Sequence, residues 1–312
     1  MALIVVRPGV WATIQDRGRV GHRGFGVPVG GASDRASLDL ANALLGNDPD
    51  AAALELTLVG GTYRAKASLA IALAGAPMAA MIRSASGPDR PLTIPQSTTL
   101  RAGDELVLGG SAFGARAYLA VRGGWLTPPI LGSRSDEARV EAGRVLPALT
   151  SQATPARRPV AWPWAVAAPS GPIRVVDGPD AGMSREGCRC LEAGEFRVEG
   201  QSNRMGLRLA GPTIDLAGPA DRVSAPVAPG AIQVAGGRAI ALGVAGGTMG
   251  GYPHLAHVIS ADLDRIGQLR PGDALTFLRV EVEEARRLDR SRREAIARLL
   301  AIFRAGAGGG PG

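Results

Sequence analysis

A chain of 312 residues, 46% of them hydrophobic, is long enough for one large or two ordinary domains with real cores. Its 35 Lys and Arg outnumber 28 Asp and Glu, for a net charge of +7, yet the arginines are scattered, Lys66 is the only lysine and aromatics make up 4%. That pattern argues against a nucleic-acid groove, which clusters cations and supplies stacking rings, and no run of 18 uninterrupted apolar residues offers a membrane span.

In chain order, the N-terminus "MALIVVRPGVWATIQ" has no basic region, and its apolar run is too short for a signal peptide. Together with the absent membrane span, this makes a cytoplasmic location the expectation. Strands are expected at "ALIVV" (2–6), "SLAIALAG" (68–75), "DELVLGG" (104–110) and "ARAYLAVRG" (115–123). A helix is expected over 33–46, capped by Ser33 or Asp34 and stopped at Gly46. A linker rich in Pro, Ala and Ser follows, with Trp162 and Trp164 anchoring it to a surface. Further strands are expected at "IRVVDG" (173–178), "EFRVEG" (195–200), "RAIALGV" (238–244) and "DALTFLRVEV" (273–282), while 254–264 reads as strand, then turn. Cys188 and Cys190 form a lone C-x-C, too closely spaced for an easy disulfide and without a second pair for zinc; they read as reduced thiols. Residues 283–305 form a terminal helix whose stripe of Leu288, Ile296, Leu299, Leu300 and Phe303 docks on the body.

The two halves repeat faintly. "IALAGAP" at Ile71 matches "IALGVAG" at Ile240, and "LRAGDELVL" at Leu100 matches "LRPGDALTF" at Leu269, each pair 169 residues apart. Two ungapped matches in one register imply two β domains of similar design: 1–150 and 173–282, joined by a linker at 151–172 and followed by the helix at 283–305 and a flexible tail at 306–312.

Four stretches carry candidate chemistry. "GVWATIQDRGRVGHRGFGVPVGGASD" (9–34) sets Asp16 among Arg17, Arg19 and Arg23 on a glycine-rich loop. Such a loop clamps a carboxylate or phosphate, or is stiffened by its own ion pairs. In "SNRMGLRLAGP" (202–212), alternation puts Asn203, Met205 and Leu207 on one side of a strand and Ser202, Arg204 and Gly206 on the other, a ligand-facing edge or a plain polar one. In "VAPGAIQVAGG" (227–237), Gln233 is a polar residue in an apolar strand and needs a partner, either a substrate amide or a neighbouring backbone. "AGGTMGGYPHLAHVISADLDRIGQLRPGD" (245–273) carries Tyr252, His254 and His257 but no carboxylate at metal-ligand spacing from the pair, so no metal is assigned. Neither a Walker loop nor a G-x-S-x-G elbow occurs.

Taken in order, the stretches 13–55 and "YLAVRGGW…LGSRS" (118–135), then "SNRMGLRLAGP", "GAIQV" and "GGYPHLAHVISADLDRIGQLRPGD", resemble the biotin-dependent carboxyltransferase / allophanate hydrolase subunit 2 family, which includes the C-type subunit of 5-oxoprolinase. The resemblance covers roughly residues 3–280. It implies tandem cyclophilin-like β-barrel domains and, with A-like and B-like 5-oxoprolinase proteins as partners, ATP-dependent opening of 5-oxoproline to L-glutamate. ATP would then serve the complex as a whole. It further implies a site of Arg19 and Arg204 as anion clamps, Asp16 as their orienter, and Gln233 and Tyr252 as carbonyl or amide readers. The family also admits a urea carboxylase-type carboxyltransferase, for which this chain has no Met-Lys-Met biotin attachment site, and a non-catalytic regulator that binds a partner of the same family. The sequence departs from the family pattern at Ala225 and Ala245, which stand where members carry Glu and Asp, and at Asp136, which replaces a Thr.

Overall fold

The structure, a computed structural model, describes residues 1–149, 156–159, 171–216 and 223–305. Most of the expected linker, with Trp162 and Trp164, and the tail at 306–312 lie outside the described residues. The chain is mainly β, and among its described residues it divides into two compact units. One is drawn from Met1–Gly18, Asp34–Ala168 and Ile296–Gly312, the other from Arg19–Ser33 and Pro169–Ala295.

The first unit has two antiparallel sheets. One runs in the order Val145–Pro147, Ala2–Pro8, Val59–Ala65, Glu105–Ser111, Met78–Arg83, Arg90–Pro91. The other runs Trp11–Gln15, Ala53–Thr57, Arg116–Val121, Leu69–Gly75, Gln96–Leu100. Strand Leu69–Gly75 shows why "LAIALAG" is apolar throughout. Leu69, Ile71 and Leu73 enter the core, while Ala70, Ala72 and Ala74 are buried on the other face. There the helix α1 (Arg35–Leu45) packs, and alanines let it come close. Of the two expected caps, Asp34 takes the role: it accepts from Ser37 N at 2.9 Å and Ser37 Oγ at 2.6 Å, and Gly46 ends the helix at φ 68°.

The second unit is an eight-stranded sheet in the order Ala274–Leu275, Phe196–Val198, Gly206–Ala210, Arg238–Leu242, Ala231–Ala235, His254–Val258, Ile173–Asp177, Phe277–Arg279. Its first and last strands are separated in sequence only by Thr276, so the sheet is nearly closed and barrel-like. The pairing is antiparallel except between Ile173–Asp177 and Phe277–Arg279.

Three local differences from the sequence reading have clear causes. Residues 202–205 form a turn and not a strand, because Asn203 and Gly206 bond each other's main chain at 3.2 Å and Asn203 Oδ1 accepts from Met205 N at 2.8 Å. The expected alternation therefore starts only at Gly206. Residues Arg185–Ala193 form a helix, α2, capped by Ser184, which accepts from Gly187 N at 2.9 Å. The turn after Val258 winds into a helix, α3 (Leu263–Gln268). The terminal helix α4 spans Val282–Ala305, and along its expected stripe Ile296 and Leu300 are buried while Leu288, Leu299 and Phe303 are half-buried. Among the described residues no helix is long and apolar enough to cross a membrane.

Candidate functional site

In the first unit, Asp16 follows strand Trp11–Gln15 and is buried. Its Oδ1 accepts from Ser133 Oγ and Ser135 Oγ at 2.6 Å each and from Gly18 N at 2.7 Å, and its Oδ2 accepts from Arg134 N at 2.5 Å. Burial pushes its pKa up, but the four donors outweigh it and hold the carboxyl below its ordinary range. Two of the quoted stretches, 9–34 and 118–135, thus meet at one carboxylate. The neighbouring Arg17 serves α1, bonding Asp39 at 2.8 Å.

In the second unit, the glycine-rich loop is closed at its base, where Arg19 N donates to Val29 O at 2.7 Å. Gly30 and Gly31 follow, both left-handed at φ 61° and 77°, a backbone path that side-chain-bearing residues resist. Gly30 N donates to Val244 O at 3.0 Å. Arg204, 7% exposed at the 202–205 turn, donates from Nη2 to Gly31 O at 2.6 Å and from Nη1 to Ser33 Oγ at 3.0 Å. Its neighbour Met205 is 59% exposed, so the turn drives the arginine inward and the apolar side chain outward, against simple hydropathy. Arg204 O accepts from Ala245 N at 3.1 Å, at the position where the family pattern expects Asp. Arg23 bonds Val227 O, a further tie within this unit.

Gln233 is 4% exposed on strand Ala231–Ala235, and its Nε2 donates to Tyr252 O at 3.0 Å. This bond gives the buried amide a backbone partner. A Cβ at Gly250 would stand 2.6 Å from that Nε2, so the Gly-Gly before Tyr252 makes room for the amide. The Tyr252 side chain is 54% exposed. Ala225, a second departure from the family pattern, pairs with Gly250 through a short bridge of strands.

The structure thus links Arg19 and Arg204 through one loop and joins Gln233 to the Tyr252 main chain, while Asp16 takes its four bonds within the first unit. Sequence reasoning missed Ser33, Ser133 and Ser135 as the partners of these charges. The only signal was the small hydroxyls themselves, which also serve as caps and turn formers.

The family model for the carboxyltransferase domain, subdomain A and B, matches residues 25–279. The chain belongs to the carboxyltransferase domain family. This carboxyltransferase-domain chain is 31% identical to the C-type subunit of 5-oxoprolinase from Escherichia coli (strain K12) over 91% of its own length and 93% of that protein. It is 32% identical to urea amidolyase of Lachancea kluyveri over 96% of its length, but it spans only 18% of that relative. Among solved structures, the K. lactis urea amidolyase superposes with a TM-score of 0.85 at 28% identity, covering 96% of this chain and 20% of that one.

Proposed function

We propose that the chain is the C-type subunit of an ATP-dependent hydrolase that opens 5-oxoproline to L-glutamate together with A-like and B-like partner subunits. The observation that carries this reading is the end-to-end match to a separate subunit of that name, 91% of this chain against 93% of the relative. A lactam carbonyl is a poor electrophile, so its oxygen must be activated and the substrate carboxylate held. In the proposed site Arg19 and Arg204 grip anionic oxygens. The bonds from Arg204 to Gly31 and Ser33 fix the plane of its guanidinium. Asp16 holds Gly18 N within the first unit. Gln233 and Tyr252 read the amide. ATP serves the assembled complex as a whole.

The test is co-purification with A-like and B-like partners and an assay of 5-oxoproline-dependent ATP hydrolysis. Turnover is expected only in the full complex, and Arg204→Ala is expected to lower it by roughly 100-fold. Full turnover in that variant removes the site assignment. A complex that assembles but never turns over 5-oxoproline removes the reaction. The likeness to urea amidolyase favours one second reading, carboxyl transfer from carboxybiotin to urea or a related amide. In that case biotin-dependent carboxylation of urea replaces the first activity in the same assay set.

A further inference from the structure

His254 and His257 lie three residues apart on strand His254–Val258, a spacing that normally sends side chains to opposite faces. Here the register to strand Ala231–Ala235 shifts: Ala231 faces His257, Ile232 faces Ala256, and Gln233 faces His254, leaving Leu255 as the extra residue of a bulge. The bulge returns both imidazoles to one face, the face that also carries Gln233. His254 Nε2 and His257 Nδ1 then stand 3.3 Å apart, with ring centroids 5.3 Å apart.

The protons make this contact unusual. The His254 ring bonds the main chain of Ala256 and the His257 ring that of Pro229, each in a way that favours the protonated ring. A carbonyl only accepts, so each ring donates an N–H to it. With Nε2 of His254 turned to its neighbour, Nδ1 is its donor. Nε2 of His257 is the nitrogen on the Gly230 side, 3.3 Å from where a Cβ there would stand. The two nitrogens left facing each other are both lone-pair acceptors. An N–H···N bond between them requires one ring to give up its carbonyl. A cation between them requires no such sacrifice, and a carbonyl behind each ring is the usual outer support of a metal-binding histidine. Two nitrogens at about 2.05 Å from a tetrahedral ion are about 3.4 Å apart, close to the 3.3 Å observed.

We propose that His254 and His257 chelate a borderline divalent cation of the Zn²⁺, Ni²⁺ or Cu²⁺ class. Imidazole pairs suit these ions. Among the described residues no third His, Cys, Asp or Glu completes the set. The remaining positions go to water or to an oxygen of a small ligand, on the face that carries Gln233.

The experiment is calorimetric titration of tag-free, chelator-treated full-length protein with Zn²⁺ and with Ni²⁺, alongside the visible spectrum with Co²⁺. One ion per chain is expected, with a tetrahedral Co²⁺ spectrum. Affinity should fall at least about tenfold in both His254→Gln and His257→Gln and hold in His22→Gln, which removes the third histidine of the chain. The wild-type titration needs no variant to fold, and absence of saturable binding there overturns the proposal. Binding that survives either substitution at 254 or 257, or that is lost on changing His22, overturns it as well.

Discussion

At the scale of single residues, Asp16 is held by four donors, and this has a signed consequence. Its folded pKa lies below the ordinary 3.8, so on acidification the unfolded chain takes the proton first. The stability it contributes is present above about pH 4 and is lost as pH falls through its depressed folded value. Asp16→Asn should cost about 2–4 kcal/mol at neutral pH, because an amide turns two acceptor sites into donors facing N–H and O–H groups. It should also flatten the acid limb of the stability curve. Chemical denaturation at several pH values checks both. Gly267 lies against the main chain of Ser33. A Cβ there would stand 2.2 Å from Ser33 O, so Gly267→Ala must move main chain in the segment that Arg204 holds. We expect a loss of about 1–3 kcal/mol in a thermal or denaturant melt, with a loss of complex activity that Arg204→Ala on top does not deepen.

At the scale of elements, the Gly-Asp turn at 103–104 and that at 272–273 share their hydrogen bonds. In the first unit Arg101 N donates to Asp104 Oδ2 at 2.9 Å, and Gly103 N to Ala65 O at 2.8 Å. In the second Arg270 N donates to Asp273 Oδ2 at 2.8 Å, and Gly272 N to Val198 O at 2.8 Å. Both glycines have φ 89°. The surroundings differ. A Cβ at Gly103 would meet Ala85 Cβ at 2.9 Å, whereas at Gly272 nothing lies within 4 Å. Gly272→Ala should therefore cost only the left-handed strain, about 1 kcal/mol, and Gly103→Ala clearly more. Equal costs in denaturant melts would mean that the turns, not their neighbours, set the penalty. The same scale shows where local reading failed. "SNRMG" alternates like a strand, but Asn203 bonds its own neighbours and turns the chain before the ladder begins.

At the scale of the molecule, segment 19–33 belongs with residues far along the chain: Arg204, Val227 and Val244 hold it. A fragment of residues 171–295 alone leaves the buried Arg204 without Gly31 and Ser33. It should be less stable than the same fragment with 19–33 fused to it by about 2–4 kcal/mol, measured by urea unfolding of the two. Equal stability would show the segment to be a passenger.

Strands, the α1 boundaries, the terminal helix and the repeated turn were legible in the sequence because each depends on neighbours a few residues away: alternation, a cap, a stop, a Gly-Asp corner. The arginine-bearing and glycine-rich stretches were visible for the same reason. What each charge bonds was not visible. Arg204 meets Ser33 across 171 positions, and Asp16 meets Ser135 across 119. No periodicity carries information over such distances. The histidine pair is the sharpest case: only a one-residue slip between two strands puts His254 and His257 on one face, and that slip is decided by how the sheet packs, not by any residue at 254 or 257.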